Sequence, residues 1–462
     1  MPVVGYGIGG ALGMGTESTP GTAVAPSIYV PIMSESIKAT RDIVESGSIT
    51  GDRSRRKLLE GLRMGGGDFQ MEVDGSTFGL PLHYVNGSAS GGTTSAAMTG
   101  LIILSAPTGS ATAGGTLTAG AYRYKVATVY NRTATGDKYV APASASVTIT
   151  TATTNLTATL AFTDPTTLTP PDGWTVAGTA IYRSAIAGGA NTETFLAYQS
   201  GTAAGYADDG SITPDTAVLP VSATMYRHIF TRAFTAGENP LPPFSTTIVK
   251  DNDYSQRFSL CRMNGMEIAL ADGNSPVTCK FSLLARDYEK IANPSPSITN
   301  LRKFMSWTAT IAIDGTADET VESLTLKINN NADRVPGLRG VPANRDVGYG
   351  RKQVSLDVSR SFQTHTLWDK MKAATRFAIS AWCVGQGVVE TASTITISSG
   401  VYATPLPYMM RIYAPSCLIG EAGANINGPG RMVEQLPIQA EVDNTLGYEL
   451  RIELFNLTAS YA

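Results

Sequence analysis

Residues able to do chemistry are few in this chain and stand far apart. Three histidines (His83, His228, His365) and four cysteines (Cys261, Cys279, Cys383, Cys417) are spread over 462 residues. A zinc site draws on ligands at short spacing, as in C-x-x-C. No two of these cysteines stand so, and none has a histidine at ligand spacing. Cys261 and Cys279 each lie in an apolar-rich segment, the setting of a buried, reduced thiol.

Gly5-Tyr-Gly-Ile-Gly-Gly10 satisfies G-x-G-x-x-G. That phosphate cradle needs a strand before it and a helix after it, and only four residues precede it here. Asp251-Asn-Asp253 opens like a calcium loop, but Gln256 stands at the glycine position and Arg262 at the glutamate position. Asp208-Asp209-Gly210 could bind a cation on a sandwich edge, but a polar turn is the better reading. No G-x-S-x-G elbow occurs, and three scattered histidines supply no Ser/His/Asp or Cys/His set. Paired carboxylates need no local motif, so a β-rich hydrolase remains as a third reading. No cofactor, no metal and no enzymatic activity are expected.

The sharpest charge cluster is Arg53-Ser-Arg-Arg-Lys57. Nucleic-acid binding through it would need phosphate contacts without a basic surface, since the net charge is −3. Contact with acidic groups of a neighbouring subunit ranks first, because Arg suits interface ion pairs, and a solvated loop ranks next. Arg53, Arg55, Arg56 and Lys57, with Arg345 and Arg351 from a second polar loop, are the candidate contacts between subunits and rings.

The elements that must position these residues are short strands. Hydrophobic residues make up 42% of the chain and charged residues only 16%, against roughly 25% charged in an average soluble domain. A large core is affordable, and much of the surface suits burial against other protein. The 47 glycines and 25 prolines imply many turns. No run of about eighteen apolar residues occurs, and no basic leader precedes an apolar stretch, so no membrane is expected among the partners.

Asp68-Phe-Gln-Met-Glu-Val-Asp74 puts Phe69, Met71 and Val73 on one face and Gln70 and Glu72 on the other, the period of a half-buried strand. At the C-terminus Tyr448, Leu450, Ile452 and Leu454 alternate with Glu449, Arg451 and Glu453. An Asp443–Gly447 turn and a strand through Ile438 and Val442 complete an expected antiparallel hairpin. Helices are expected over 364–376, more weakly over 78–84, where Pro81 limits the length, and in a short piece over 283–291.

Residues 1–27 read as a Gly/Thr/Pro-rich arm, either disordered or ordered only against a neighbour. Between 101 and 220 charges thin out, and strands such as Tyr122–Tyr130 and Ala180–Ser184 recur with turn signals. This predicts an inserted β-sandwich, flanked by Gly-rich linkers. With it removed, a shift of 287 positions lays Glu35-Ser36-Ile37 on Glu322-Ser323-Leu324, Gly61 on Gly348, Phe69 and Met71 on Leu356 and Val358, and Thr77 and Leu80 on Thr364 and Leu367. The expected units are therefore 28–100 with 221–290, and 291–462. Both carry a strand, a long polar loop, a strand and a short helix.

The opening GTESTPGTAVAPSIYVPIMSESI, the loop Gly51-Asp-Arg-Ser-Arg-Arg56, the return at His228-Ile-Phe-Thr and the stretch FSLCRMNGMEIALADGNSPVTCKFSLLARD at 258–287 resemble the major tail tube proteins of long-tailed bacteriophages. The inserted strands are similar to a fibronectin type III or immunoglobulin-like module. The tail-tube resemblance implies a mainly β fold of two sandwich or barrel domains, each with a short flanking helix. It implies rings stacked into a hollow tail tube, assembled in the host cytoplasm around a tape measure protein and bounded by terminator and distal tail proteins. DNA later passes through the lumen. A duplicated chain would form trimers with pseudo-sixfold symmetry, the hexamer being the alternative.

A DNA channel must not hold phosphates, so its wall should be polar and neutral to acidic. Gln70, Glu72, Asp74, Asp357, Ser359, Glu449 and Glu453 are the lumen candidates. The competing class is a carbohydrate-binding or adhesive multi-Ig surface protein, which predicts Trp174, Tyr182, Tyr198 and Tyr206 exposed on the insert.

Overall fold

Alternation of apolar and polar residues gives this chain strands almost throughout. The computed structural model describes residues 10–47, 58–87, 93–98, 103–170, 173–221, 223–231, 241–250, 254–271, 273–298, 302–338, 340–387, 394–424 and 430–461. The chain opens with β1 (Ala11–Thr16), β2 (Ile28–Val30), β3 (Ser34–Glu35), β4 (Lys38–Glu45) and β5 (Leu58–Glu72), then α1 (Gly79–Asn86) and β6 (Thr93–Ala97). Next come β7 (Thr108–Thr112), β8 (Gly120–Arg132), β9 (Lys138–Val140), β10 (Val147–Thr151) and β11 (Thr157–Ala161). β12 (Trp174–Arg183), β13 (Thr194–Ser200) and β14 (Gly205–Asp208) follow.

The chain returns through β15 (Tyr226–Thr231), β16 (Phe244–Val249), β17 (Ser255–Leu270), β18 (Thr278–Ala285) and β19 (Asp287–Ile291). A second series has β20 (Ala309–Ile313), β21 (Thr316–Ala317), β22 (Val321–Asn329), β23 (Asp333–Val335), β24 (Asp346–Gly348), β25 (Gln353–Ser361) and α2 (Thr366–Lys372). It closes with β26 (Phe377–Gly387), β27 (Ile395–Ser398), β28 (Val401–Pro405), β29 (Pro407–Ile419), β30 (Val433–Ala440) and β31 (Arg451–Asn456).

The two series share one pairing scheme. In the first, β5 pairs with β18 (Phe69 opposite Phe281) and β18 with the C-terminal half of β17 (Phe281 opposite Met266). The N-terminal half of β17 lies between β19 (Phe258 opposite Tyr288) and β16 (Phe258 opposite Thr246), and β16 pairs with β1. In the second, β25 pairs with β30 (Leu356 opposite Ile438) and β30 with the C-terminal end of β29 (Ile438 opposite Ile419). The N-terminal part of β29 lies between β31 (Ile412 opposite Ile452) and β26 (Ile412 opposite Ala381), and β26 pairs with β20. All these pairings are antiparallel, and α1 and α2 follow β5 and β25 in turn. The duplication is thus a repeated topology.

A single core runs through both series, including Phe69, Met71, Phe281, Met266, Ile268, Leu326, Leu356, Ile438 and Ile452. Each such side chain, fully buried, contributes about 1.5–3 kcal/mol. Phe69 and Phe281 stack at 5.1 Å between ring centroids. The four cysteines are free and buried, and burial pushes the Cys383 thiol up to about 12.

Strands β7 to β14 build a two-sheet sandwich around Tyr124, Val126, Ile149, Leu160 and Ile181. One of its sheets is not closed by the insert alone: β28 adds to β9 in parallel (Thr404 opposite Tyr139), and β27 pairs with β28. The sandwich is seated on the body formed by the two series by a second apolar cluster joining Trp174 and Tyr130 to Trp382, Met409 and Phe455.

Several expectations are overturned. The arm is not free from residue 11 onward, since β1 is a core strand with Leu12 and Met14 buried. Gly13 and Gly15 lie close under Pro26 and Ala25, where a Cβ would stand 2.6 and 2.5 Å from them; glycine there takes the place of the outward residue of an alternating strand. The third helix is instead β18 and β19, its apolar residues having the period of a strand. The Gly-rich linker after α1 contains β6, which pairs with β15.

The C-terminal hairpin does not form either. Its turn exists, Gly447 N–H donating to Asp443 O at 2.7 Å. The flanking strands part there, because β29 receives β30 at one end and β31 at the other. Helix α1 runs Gly79–Asn86 and α2 Thr366–Lys372, so the second is shorter than expected. No helix is long and apolar enough to cross a membrane among the described residues.

Candidate channel face and subunit edges

The two series are joined edge to edge. β22 pairs with the C-terminal half of β17, Met266 opposite Ile328 and Glu267 opposite Lys327, and β22 pairs onward with β25. The result is one antiparallel run, β3–β5–β18–β17–β22–β25–β30–β29. Cross-strand partners lie on the same face, so the register sorts the side chains. Met71, Cys279, Ile268, Leu326, Leu356, Ile438 and Ile419 form one buried row.

The opposite face is polar across both series. One row runs Gln70, Lys280, Glu267, Lys327, Ser355, Gln439. The next runs Glu72, Thr278, Ala269, Thr325, Asp357, Pro437. Asp68 ion-pairs with Lys280 at 2.9 Å and Asp357 with Lys327 at 2.8 Å. Hydrogen bonding to these carboxylates raises the pKa of both lysines, so each stays cationic with its charge met. Asp68, Glu72, Glu267 and Asp357 outnumber the two lysines, and the face is neutral to mildly acidic.

The expected lumen residues divide. Gln70, Glu72, Asp357 and Ser359 come together on this face. Asp74 does not belong to it. Fully buried at the end of β5, it accepts hydrogen bonds from Thr77 N–H (2.7 Å) and Thr77 Oγ1 (2.6 Å) and pairs with Lys303 at 3.1 Å. It holds the turn into α1.

Glu453 is also buried, between Arg227 (2.8 Å), Arg411 (3.4 Å) and Arg451 (2.7 Å). β31 lies between β15 and β29 and is covered on both faces, so alternation there does not mark a wet side. Glu449 faces Lys352 at 3.5 Å, away from the polar rows. The sequence reasoning missed Lys280, Glu267 and Lys327, although all three occupy outward positions of alternating strands.

Arg345 and Arg351 are exposed in the loop region between β22 and β25. Arg53, Arg55, Arg56 and Lys57 lie outside the described residues, as do the first nine positions and with them most of the G-x-G-x-x-G match. On the sandwich Trp174 and Tyr182 are buried and Tyr198 and Tyr206 half-buried, so the aromatic display expected of a carbohydrate binder is not formed. Asp208 is buried too, engaged by Arg183 (2.6 Å) and Tyr124 (2.8 Å). Among the described residues no group of three or more His, Cys, Asp or Glu is placed to hold a metal ion.

A mainly β chain built from two copies of one strand scheme, with a polar face that continues across both, defines a duplicated β-sheet class of protein. The family model for phage tail tube proteins matches the chain twice, over residues 7–218 and 208–440. The chain therefore belongs to the phage tail tube protein family and is a structural component of a virion tail. No curated protein matches the sequence significantly.

Proposed function

We propose that this chain polymerises into rings that stack as the hollow tail tube, and that phage DNA leaves through the lumen. The observation that carries the reading is the unbroken antiparallel run through both series, apolar on one face and polar on the other, with a strand edge at each end. Ends of this kind pair head to tail, and a head-to-tail interface generates a ring when its rotation closes. Two tube units per chain make a trimer the ring with pseudo-sixfold symmetry; a hexamer is the alternative.

The polar rows from Gln70 to Gln439 form the lumen wall in this reading. Their mildly acidic balance keeps phosphates from binding through counterion release. The apolar rows pack outward against the rest of each tube unit, and the sandwich of β7 to β14 projects outside. Assembly takes place in the host cytoplasm around a tape measure protein, between distal tail proteins and a tail terminator. Arg345 and Arg351, with the Arg53–Lys57 cluster, serve contacts between rings.

Negative-stain electron microscopy of the purified protein tests this. Uniform hollow filaments or annuli are expected, and a preparation that stays monomeric at every concentration and with the other tail proteins present contradicts it.

A further inference from the structure

The internal duplication specifies how one chain meets the next. Each series contributes four strands to the long run: β3/β4, β5, β18 and β17 in the first, and β22, β25, β30 and β29 in the second. Matching registers align them. Phe69 stands opposite Glu35 and Phe281, and Leu356 opposite Leu326 and Ile438. Hence Glu35 corresponds to Leu326, and not to Glu322 as a uniform shift of 287 would have it, and Lys38 to Asn329; they face Phe69/Leu356 and Gly66/Gln353 respectively. Likewise Met266, opposite Phe281, corresponds to Ile419, opposite Ile438.

The join inside the chain is β17 to β22 over Gly265–Leu270 and Leu324–Asn329. Its counterparts are Leu418–Gly423 and Met33–Lys38, the two ends of the run. Neither segment has a strand on its outer edge among the described residues.

We infer that Leu418–Gly423 of one copy adds antiparallel to Met33–Lys38 of the next, in the register of the β17–β22 join: Leu418 opposite Lys38, Gly420 opposite Ser36, Ala422 opposite Ser34. This rests on the ring reading and supplies its interface.

Three observations show the same sites closed inside the chain and open at its ends. The β23–β24 hairpin (Arg334 opposite Val347) is held onto the first series, Arg334 Nη2 donating to Gly65 O at 2.9 Å and Arg63 N–H to Pro342 O at 2.7 Å. Its counterpart, β4 with the start of β5 (Ile43 opposite Glu60), leaves Ile43, Val44, Leu58 and Leu59 exposed, Ile43 at 69%.

Phe304 is buried between Val73 and Val277, donating to Val73 O at 2.9 Å and accepting from Val277 N–H at 2.8 Å. The matching place in the second series, beside Glu434, is an open groove of 650 Å³ lined by Phe362, His365, Trp368, Ala422 and Met432. Finally, the Ile37 N–H on the free edge is met by the carboxylate of Glu35 at 2.8 Å, whereas Ile328, its counterpart, sits within a paired strand. A side chain that satisfies an edge donor is one way a lone strand avoids indiscriminate pairing.

Cysteine cross-linking tests the register. Ser36 is exposed, and a Cβ on Gly420 meets nothing nearer than Pro437 O at 3.9 Å. Directly opposed residues lie within disulfide reach. The variant S36C/G420C, assembled and mildly oxidised, should give a ladder of covalently linked chains. The offset pair S36C/A422C should give little, and the internal control E267C/K327C should cross-link within one chain.

Hydrogen exchange on the unmodified protein gives a second readout: amides of 33–38 and 418–423 should gain protection on assembly. Rings or tubes that form without the S36C/G420C ladder and without that protection overturn the inference and leave the ring reading standing. Protein that never associates overturns both.

Discussion

Glu267 of β17 stands directly opposite Lys327 of β22, across the line where the two halves of the chain meet. Glu267 is also opposite Lys280, and Lys327 lies 2.8 Å from Asp357. The seam between the units is therefore continuous in charge as well as in hydrogen bonding, and the polar face crosses it without a break. Strands of two separately packed domains would not share such a row.

In the tail-tube reading proposed above, the charges on this face serve the channel more than the fold. Exposed pairs such as Lys327–Asp357 are worth ~0–1 kcal/mol, so D357N should leave the denaturation midpoint almost unchanged. E72K/D357K should likewise fold and assemble, but with a lumen that now attracts phosphate. Ejection from virions carrying it should be slower and more dependent on salt than wild type, as followed by release of encapsidated DNA.

Buried charge behaves in the opposite way. Glu453 sits among three arginines with none of its side chain exposed. E453Q should cost about 3–5 kcal/mol, the usual loss when one partner of a buried ion network is removed. Urea denaturation of the unassembled protein measures this against D357N.

β1 supplies a third contrast. Leu12 and Met14 are fully buried and β1 is hydrogen-bonded to β16 and β2. L12A should destabilise by about 2–5 kcal/mol, and deletion of residues 1–26 should give misfolded protein rather than a soluble chain that merely fails to extend. Circular dichroism of the deletion variant separates the two outcomes.

Stability should also fall in mild acid. Burial lowers the His83 pKa from 6.5 to about 4. Between those values the unfolded chain takes a proton that the folded chain does not, so stability is full above pH 6.5 and declines as pH falls toward 4. The whole shift is worth roughly 3 kcal/mol. Burial also lowers the pKa of His228, which acts in the same direction. The wild-type protein should lose more stability than H83L between pH 7 and pH 4.5, measured by denaturant titration at each pH.

Legibility in the sequence followed burial. β5 and β25 sit between a core and a wet face, so Phe69/Met71 and Leu356/Val358 alternate cleanly with Gln70/Glu72 and Asp357/Ser359, and their spacing exposed the duplication. β31 is covered on both sides, and there the same alternation misplaced Glu453. In β1 the outward positions are Gly13 and Gly15, chosen for close backbone approach, so a core strand looked like a loose arm. Asp443–Gly447 announced a turn correctly, but no local signal says that β29, in place of the other arm of that turn, pairs with each flanking strand. The join of β17 to β22 is long-range pairing and left no local mark.

A reconstruction of the assembled tube tests the central claim most directly. It should show closed rings in which the β17–β22 join alternates with an equivalent join between chains, and Gln70, Lys280, Glu267, Lys327 and Gln439 should line the lumen. Rings whose polar rows face outward, or chains that meet through the inserted sandwiches and leave both strand edges bare, would contradict it.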